Sequence, residues 1–199
     1  MLGRKMTRDF ADDPVDPGVL MQLLDTARRS PTAGNSQGIE MLVLDEPEAV
    51  ALYWTTTFSE QGRARFRWQG LFNAPVLVSV YGDPAAYTER YSEPDKAATK
   101  LGDGEAAWAT PYWLVDASMV TLALQLAAID AGLGVLFFGQ FDHAPAVARA
   151  FGVPSGLVTT GTVAIGHAAQ GPTTGDGRSS QRSRRDLSSM VHRNGWVTG

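Results

Sequence analysis

Val19, Leu20, Leu23, Leu24 and Ala27 recur at helical spacing behind Asp16-Pro17, an N-cap residue and a proline suited to a first helical turn. They predict a helix that Ser30-Pro31 stops, because the residue before proline avoids the α region. A strand-like run at 39–44 follows at once. Short apolar runs at 76–81, 135–138 and 163–165 predict further strands. Asp142 is placed to cap a short helix holding Val147, Ala148, Ala150 and Phe151, closed by Gly152 and Pro154. The longest apolar segment, 119–133, is interrupted by Thr121, Gln125 and Asp130 and too short to span a bilayer, so it predicts a buried helix with Asp116 as its cap. Because it is apolar on nearly every face it must be covered all round, either as the central helix of a monomer or partly by a second subunit. Helix and strand signals alternate, which predicts α/β or α+β architecture with a sheet flanked by helices.

Two stretches stand apart. Residues 46–69 are amphipathic, with Trp54, Phe58, Phe66 and Trp68 among Arg63, Arg65 and Arg67; residues 82–111 are polar, rich in Gly and Pro, and hold Tyr87, Tyr91 and Trp108. Each is either a lid over a pocket or a surface segment anchored by its aromatics. Residues 171–199 shift to Gly, Thr, Ser and Arg, like an arm lying over a neighbouring surface.

At 199 residues one domain over 1–199 is the expectation. A net charge of -4 removes any global electrostatic reason to bind nucleic acid or an anionic membrane. The absence of cysteine excludes thiolate catalysis and thiolate metal sites; with no apolar signal core at the N-terminus, a cytoplasmic location is expected.

Gly34-Asn35-Ser36-Gln37-Gly38 matches the hydrolase pattern G-x-S-x-G, but a nucleophile elbow needs a strand before the serine and a helix after it. The order here is reversed. What remains is a backbone-rich loop whose amides and carbonyls suit the polar edge of a flat ligand. His143, His167 and His192 lie far apart, so no metal site is expected, and neither phosphate-binding glycine motif occurs. Basic residues gather at both ends. In Arg182-Ser183-Arg184 an extended backbone sends both guanidiniums to one side, a fork suited to a phosphate.

Together these residues resemble the nitroreductase family of FMN-dependent oxidoreductases. Residues Arg4-Lys5-Met6-Thr7-Arg8-Asp9-Phe10 are similar to its opening R-x-[ST]-x-[RK]-x-F, and 30–37 to its S-P-S-x-x-N-x-Q loop. Ala131-Gly132-Leu133-Gly134 with Phe138-Gly139-Gln140 resembles the end of its central helix and the strand that follows, and Arg182-Ser183-Arg184 its closing [KR]-x-R.

The resemblance implies an α+β fold with a mostly antiparallel sheet, an intertwined homodimer, and FMN at the subunit interface. Arg4, Lys5, Arg182 and Arg184 would hold the phosphate, and Arg8 would face the pyrimidine edge. Pro31, Thr32, Ala33 and Asn35 would line the ring or ribityl chain, with Phe138 and the Gly139 amide against the ring. Met6 stands where the family has a small hydroxyl residue, so one phosphate contact is lost unless Thr7 or a backbone amide replaces it. No side chain is expected to do the redox chemistry. NAD(P)H is the implied reductant and a nitroaromatic or quinone the implied acceptor, with Trp68, Tyr87, Tyr91 and Trp108 as candidate substrate walls. The alternatives are a flavin- or deazaflavin-sequestering protein and a serine hydrolase using Ser36.

Overall fold

Asp16 accepts the Val19 N–H at 2.9 Å and starts α1 (Pro17–Ala27), as its spacing predicts. The computed structural model describes residues 5–169 and 183–196. After the loop comes β1 (Ile39–Leu44). The amphipathic stretch forms α2 (Pro47–Thr57) and α3 (Glu60–Arg65), and β2 (Val76–Gly82) follows. The Gly- and Pro-rich stretch begins with a helix, α4 (Pro84–Ser92), which Asp83 caps by accepting the Ala85 N–H at 2.9 Å.

The central helix, α5 (Tyr112–Asp130), starts well before residue 119. Asp116 therefore sits inside the helix and does not cap it. By length and composition α5 would be long enough to cross a membrane, contrary to the estimate from 119–133. It packs instead on α1 and the sheet, and buries Asp116, Thr121 and Gln125 on that side. Its other side leaves Tyr112, Val115, Met119 and Leu122 exposed, one apolar row at helical spacing.

Next come β3 (Gly134–Phe138), α6 (Ala144–Phe151) and β4 (Val158–Gly166). The residue before α6 is His143, and no side chain caps this helix, so Asp142 does not serve as predicted. Gly152 ends the helix with φ 66°, a left-handed conformation that favours glycine.

The described residues contain a four-stranded sheet in the order β1-β2-β4-β3, every pair antiparallel. Alternation along the strands builds two cores. Val78, Val80, Val135, Val163 and Ile165 face α1 and α5; Leu77, Leu136 and Ala164 face Tyr53 and Trp54 of α2 and Val147 of α6. Each large aliphatic side chain so buried contributes about 1.5–3 kcal/mol over leaving it in water.

The N-terminal segment joins the β3 edge. Thr7 donates its N–H to the Val135 carbonyl at 2.8 Å, and Ala11 to that of His167 at 2.9 Å. In residues 183–196, Leu187, Met190 and Trp196 are exposed.

Candidate functional site

A cavity of about 640 Å³ opens between α2, α3 and the end of β3. Its walls include Trp54, Phe66, Trp68 and Phe138, with Arg8 at one side and Gly139 at another. Phe138 stacks on Trp54 at 5.8 Å between ring centroids. The Arg8 guanidinium lies 5.1 Å over the Trp68 ring, and that of Arg67 lies 5.5 Å from the same ring. Contacts of this kind are worth about 0.5–1 kcal/mol at exposed sites, enough to orient Arg8 without neutralising it.

The loop leaving β3 is fixed from below. A Cβ on Gly139 would come within 2.8 Å of the Phe141 ring, so a larger residue would have to displace that side chain. Phe141 itself is 84% exposed with φ 45°, a left-handed conformation that is costly for a bulky residue. Between them Gln140 turns inward and is only 3% exposed. Its Nε2 donates to Ser79 Oγ on β2 at 3.0 Å and to Thr162 Oγ1 on β4 at 3.2 Å. Thr162 Oγ1 also bonds the Tyr53 hydroxyl at 2.8 Å.

Burial pushes the Tyr53 phenol up to about 12, while its hydrogen bond to Thr162 pulls the other way. The unfolded chain releases this proton near pH 10. The group's contribution to stability is therefore complete below about pH 10 and is lost as pH rises through about 12. A gap of about two pH units corresponds to about 3 kcal/mol. Urea midpoints should fall over that window, and Tyr53→Phe should flatten the fall; equal slopes in both proteins would refute it.

The second cluster is the loop before β1. Gly34, Asn35 and Gln37 have φ of 61°, 57° and 52°, three left-handed residues in one turn. The expected array of free amides is largely used up inside the loop. Asn35 N–H bonds the Thr32 carbonyl at 2.9 Å, Ser36 N–H that of Ala33 at 3.1 Å, and Gln37 N–H the Thr32 hydroxyl at 3.0 Å. Asp116, 1% exposed, holds the loop: its carboxylate accepts the Ala33 N–H and the Tyr87 hydroxyl, each at 2.7 Å. Arg90 adds a clamp, donating from Nε to the Gly34 carbonyl at 2.8 Å while its outer nitrogens grip Asp95. A smaller cavity, about 370 Å³, lies against Ala33, Tyr91, Trp108 and Tyr112.

The candidates thus fall into two groups. Arg8, Trp68, Phe138 and Gly139 share the larger cavity; Ala33, Tyr91 and Trp108 share the smaller. Thr32 belongs to the second loop, as do exposed Pro31 and Asn35. Trp68 is thus parted from Tyr91 and Trp108. Tyr87 is fully buried behind Ala33 and offers no wall to a substrate. Both loops leave the same end of the sheet, since Ile39 pairs with Gly82, Gly82 with Val158, and Phe138 with Thr162. They belong to opposite edge strands, three spacings or about 14 Å apart.

Lys5 and Arg184 are exposed, and Met6 packs against the second core; Arg4 and Arg182 lie outside the described residues. Ser36 spends its hydroxyl on the Ala33 carbonyl at 2.6 Å, and among the described residues no histidine hydrogen-bonds to it. The hydrolase alternative loses its base. Asp116, expected only as a helix cap, and Gln140, expected only as part of the segment after β3, shape the two loops without having been candidates for the site; each makes its contacts far along the chain, where local spacing carries no signal.

An antiparallel sheet with helices on both faces and a cavity at the end of β3 defines an α+β class of protein. The sequence model of the Nitroreductase family matches residues 1–167, and the chain belongs to that family. An NADH dehydrogenase of Thermus thermophilus is 27% identical over 184 residues, which cover 85% of each chain. Among solved structures, a nitroreductase family protein of Clostridium difficile superposes with a TM-score of 0.69 at 21% identity, covering 97% of this chain and 95% of that one. A protein of Exiguobacterium sibiricum described as a nitroreductase and solved in complex with FMN gives a TM-score of 0.70 at 19% identity, covering 96% and 93%.

Proposed function

We propose that the chain is an FMN-dependent oxidoreductase that passes hydride from NAD(P)H, through the flavin, to an electron-poor small molecule such as a nitroaromatic or a quinone. The observation that carries this reading is that Arg8, from the N-terminal segment, and Gly139, from the end of β3, line one aromatic-walled cavity. Such a cavity fits a flat apolar ring with one polar edge. Family membership and the FMN-bound relative support the same choice.

When bound, the flavin supplies the redox chemistry, taking up and releasing hydride at its ring. The chain's own residues bind and orient. Arg8, steadied on Trp68, brings positive charge to the ring's polar edge, and Phe138 and Trp54 keep water from the apolar walls. Lys5 and Arg184, with Arg4 and Arg182, are the proposed phosphate holders. The loop of Pro31, Thr32, Ala33 and Asn35 reaches the flavin from a second copy of the chain. That arrangement is supported by its distance from Arg8 across the sheet and by the uncovered row Tyr112, Val115, Met119 and Leu122 on α5. Tyr91 and Trp108 are the proposed acceptor walls.

An absorption spectrum tests the reading. Purified protein given FMN should retain a yellow chromophore, lose the visible band on anaerobic addition of NADH or NADPH, and regain it with benzoquinone. Retention without bleaching would favour the sequestering alternative. Failure to take up FMN would overturn both.

A further inference from the structure

We infer that Gln140 is a positioning residue for the proposed flavin site: its buried amide, tied to the hydroxyls of Ser79 and Thr162, holds the Gly139 peptide at the cavity wall. The inference rests on the functional reading above, and concerns how the chain itself builds one side of that cavity.

Gly139 has no side chain to anchor it, and among the described residues the nearest atoms over its Cα belong to the exposed ring of Phe141. Phe141 is itself in a costly backbone conformation that needs outside support. Neither residue can fix the turn. Gln140, between them, is the one whose side chain leaves the loop and reaches two strands at once, at 3.0 Å to Ser79 on β2 and 3.2 Å to Thr162 on β4. Both acceptors are fully buried. Ser79 and Thr162 also bond each other at 2.9 Å, and Thr162 bonds Tyr53, which lines the same cavity. The loop is thereby tied to the rigid middle of the sheet.

Cost points the same way. An apolar core of the same shape would hold β2 and β4 together without desolvating an amide and three hydroxyls. Among the described residues Gln140 Oε1 has no hydrogen-bond partner, so the network is not optimised for stability alone. What it adds is directional: two bonds from one planar amide fix both the position and the turn of the residue after Gly139.

The experiment removes the bonds from either end. Gln140→Met keeps the length of the side chain and deletes its donors. Thr162→Val keeps the shape of a residue that does not line the cavity and deletes its hydroxyl, and Thr162→Ser keeps the hydroxyl. FMN affinity is read from quenching of flavin fluorescence, and the fold from thermal melting without flavin. Gln140→Met and Thr162→Val should each bind FMN about tenfold more weakly, the size of about one hydrogen bond's free energy. Combined, they should weaken it little beyond Gln140→Met alone, because that variant already breaks the link to Thr162. Thr162→Ser should bind like the wild type. Wild-type affinity in Gln140→Met would overturn the inference while leaving the functional reading intact. So would equal losses in Thr162→Ser and Thr162→Val, because core packing would then be the cause; that pair decides the matter even if Gln140→Met fails to fold. A wild type that binds no FMN would remove the functional reading, and this inference with it.

Discussion

Asp116→Ala should lower the free energy of unfolding by about 2–4 kcal/mol, and Asp116→Asn by about half as much. The carboxylate is buried and accepts two hydrogen bonds of 2.7 Å, from the Ala33 N–H and the Tyr87 hydroxyl. Truncation leaves both donors buried without a partner, at about 1–3 kcal/mol for each. Both donors reach the same oxygen, Oδ2, so the asparagine carbonyl can still accept both, at the roughly halved strength of bonds that lack a charge. Tyr87 reports the same contact: burial, followed by the hydrogen bond to Asp116, pushes its phenol well above the ordinary range. Urea denaturation checks the prediction, provided the slope with denaturant is unchanged. A loss below about 0.5 kcal/mol, within the range of ordinary surface substitutions, would mean that the loop before β1 is held by Arg90 and its own turns.

The other large effect belongs to the opposite face of the sheet. Trp54→Ala should cost about 3–5 kcal/mol, the range for deleting a large aromatic from a packed core. Trp54 is fully buried, meets Tyr53, Phe58 and Phe72 edge-on at 5.3, 6.1 and 5.1 Å, and stacks on Phe138. Its indole N–H has no partner among the described residues. Trp54→Phe should therefore cost much less, since it gives up volume but also a buried, unbonded donor. Denaturant midpoints of the two variants test this, with near-ultraviolet circular dichroism following the aromatic cluster. Equal losses would show that a phenyl ring recovers none of the packing that the indole provides.

The parts of the fold that can be read in the sequence are those with local causes. Asp16-Pro17 and Ser30-Pro31 bracket α1 because capping and the restriction before proline act within a few residues. Asp83-Pro84 is the same signal, yet α4 is obscured by the Gly- and Pro-rich stretch around it. The first half of β4 is hidden because Thr159, Thr160, Gly161 and Thr162 show no apolar alternation. Asp116 looks like a cap only while α5 is started at residue 119; its true partner is Ala33, 83 positions away. The free amides expected in the 30–38 loop are consumed because Thr32 turns its hydroxyl back on Gln37. For the site, periodicity identifies neither Arg8 nor Gly139. Their grouping is expected from the family resemblance, and Gln140 carries no local mark because both its acceptors are on other strands.

The place of β4 between β2 and β3 has a consequence for how the chain reaches its native state. Of the described strands, the one that joins the two halves of the sheet is the last synthesised, so β2 and β3 must wait for residues 158–166 before either gains that neighbour. Pairings so distant in sequence slow the search for native contacts and prolong the life of open edges. Truncation before Val158 would leave a hairpin-like pair and a lone strand around the most apolar helix of the molecule, a composition made for aggregation.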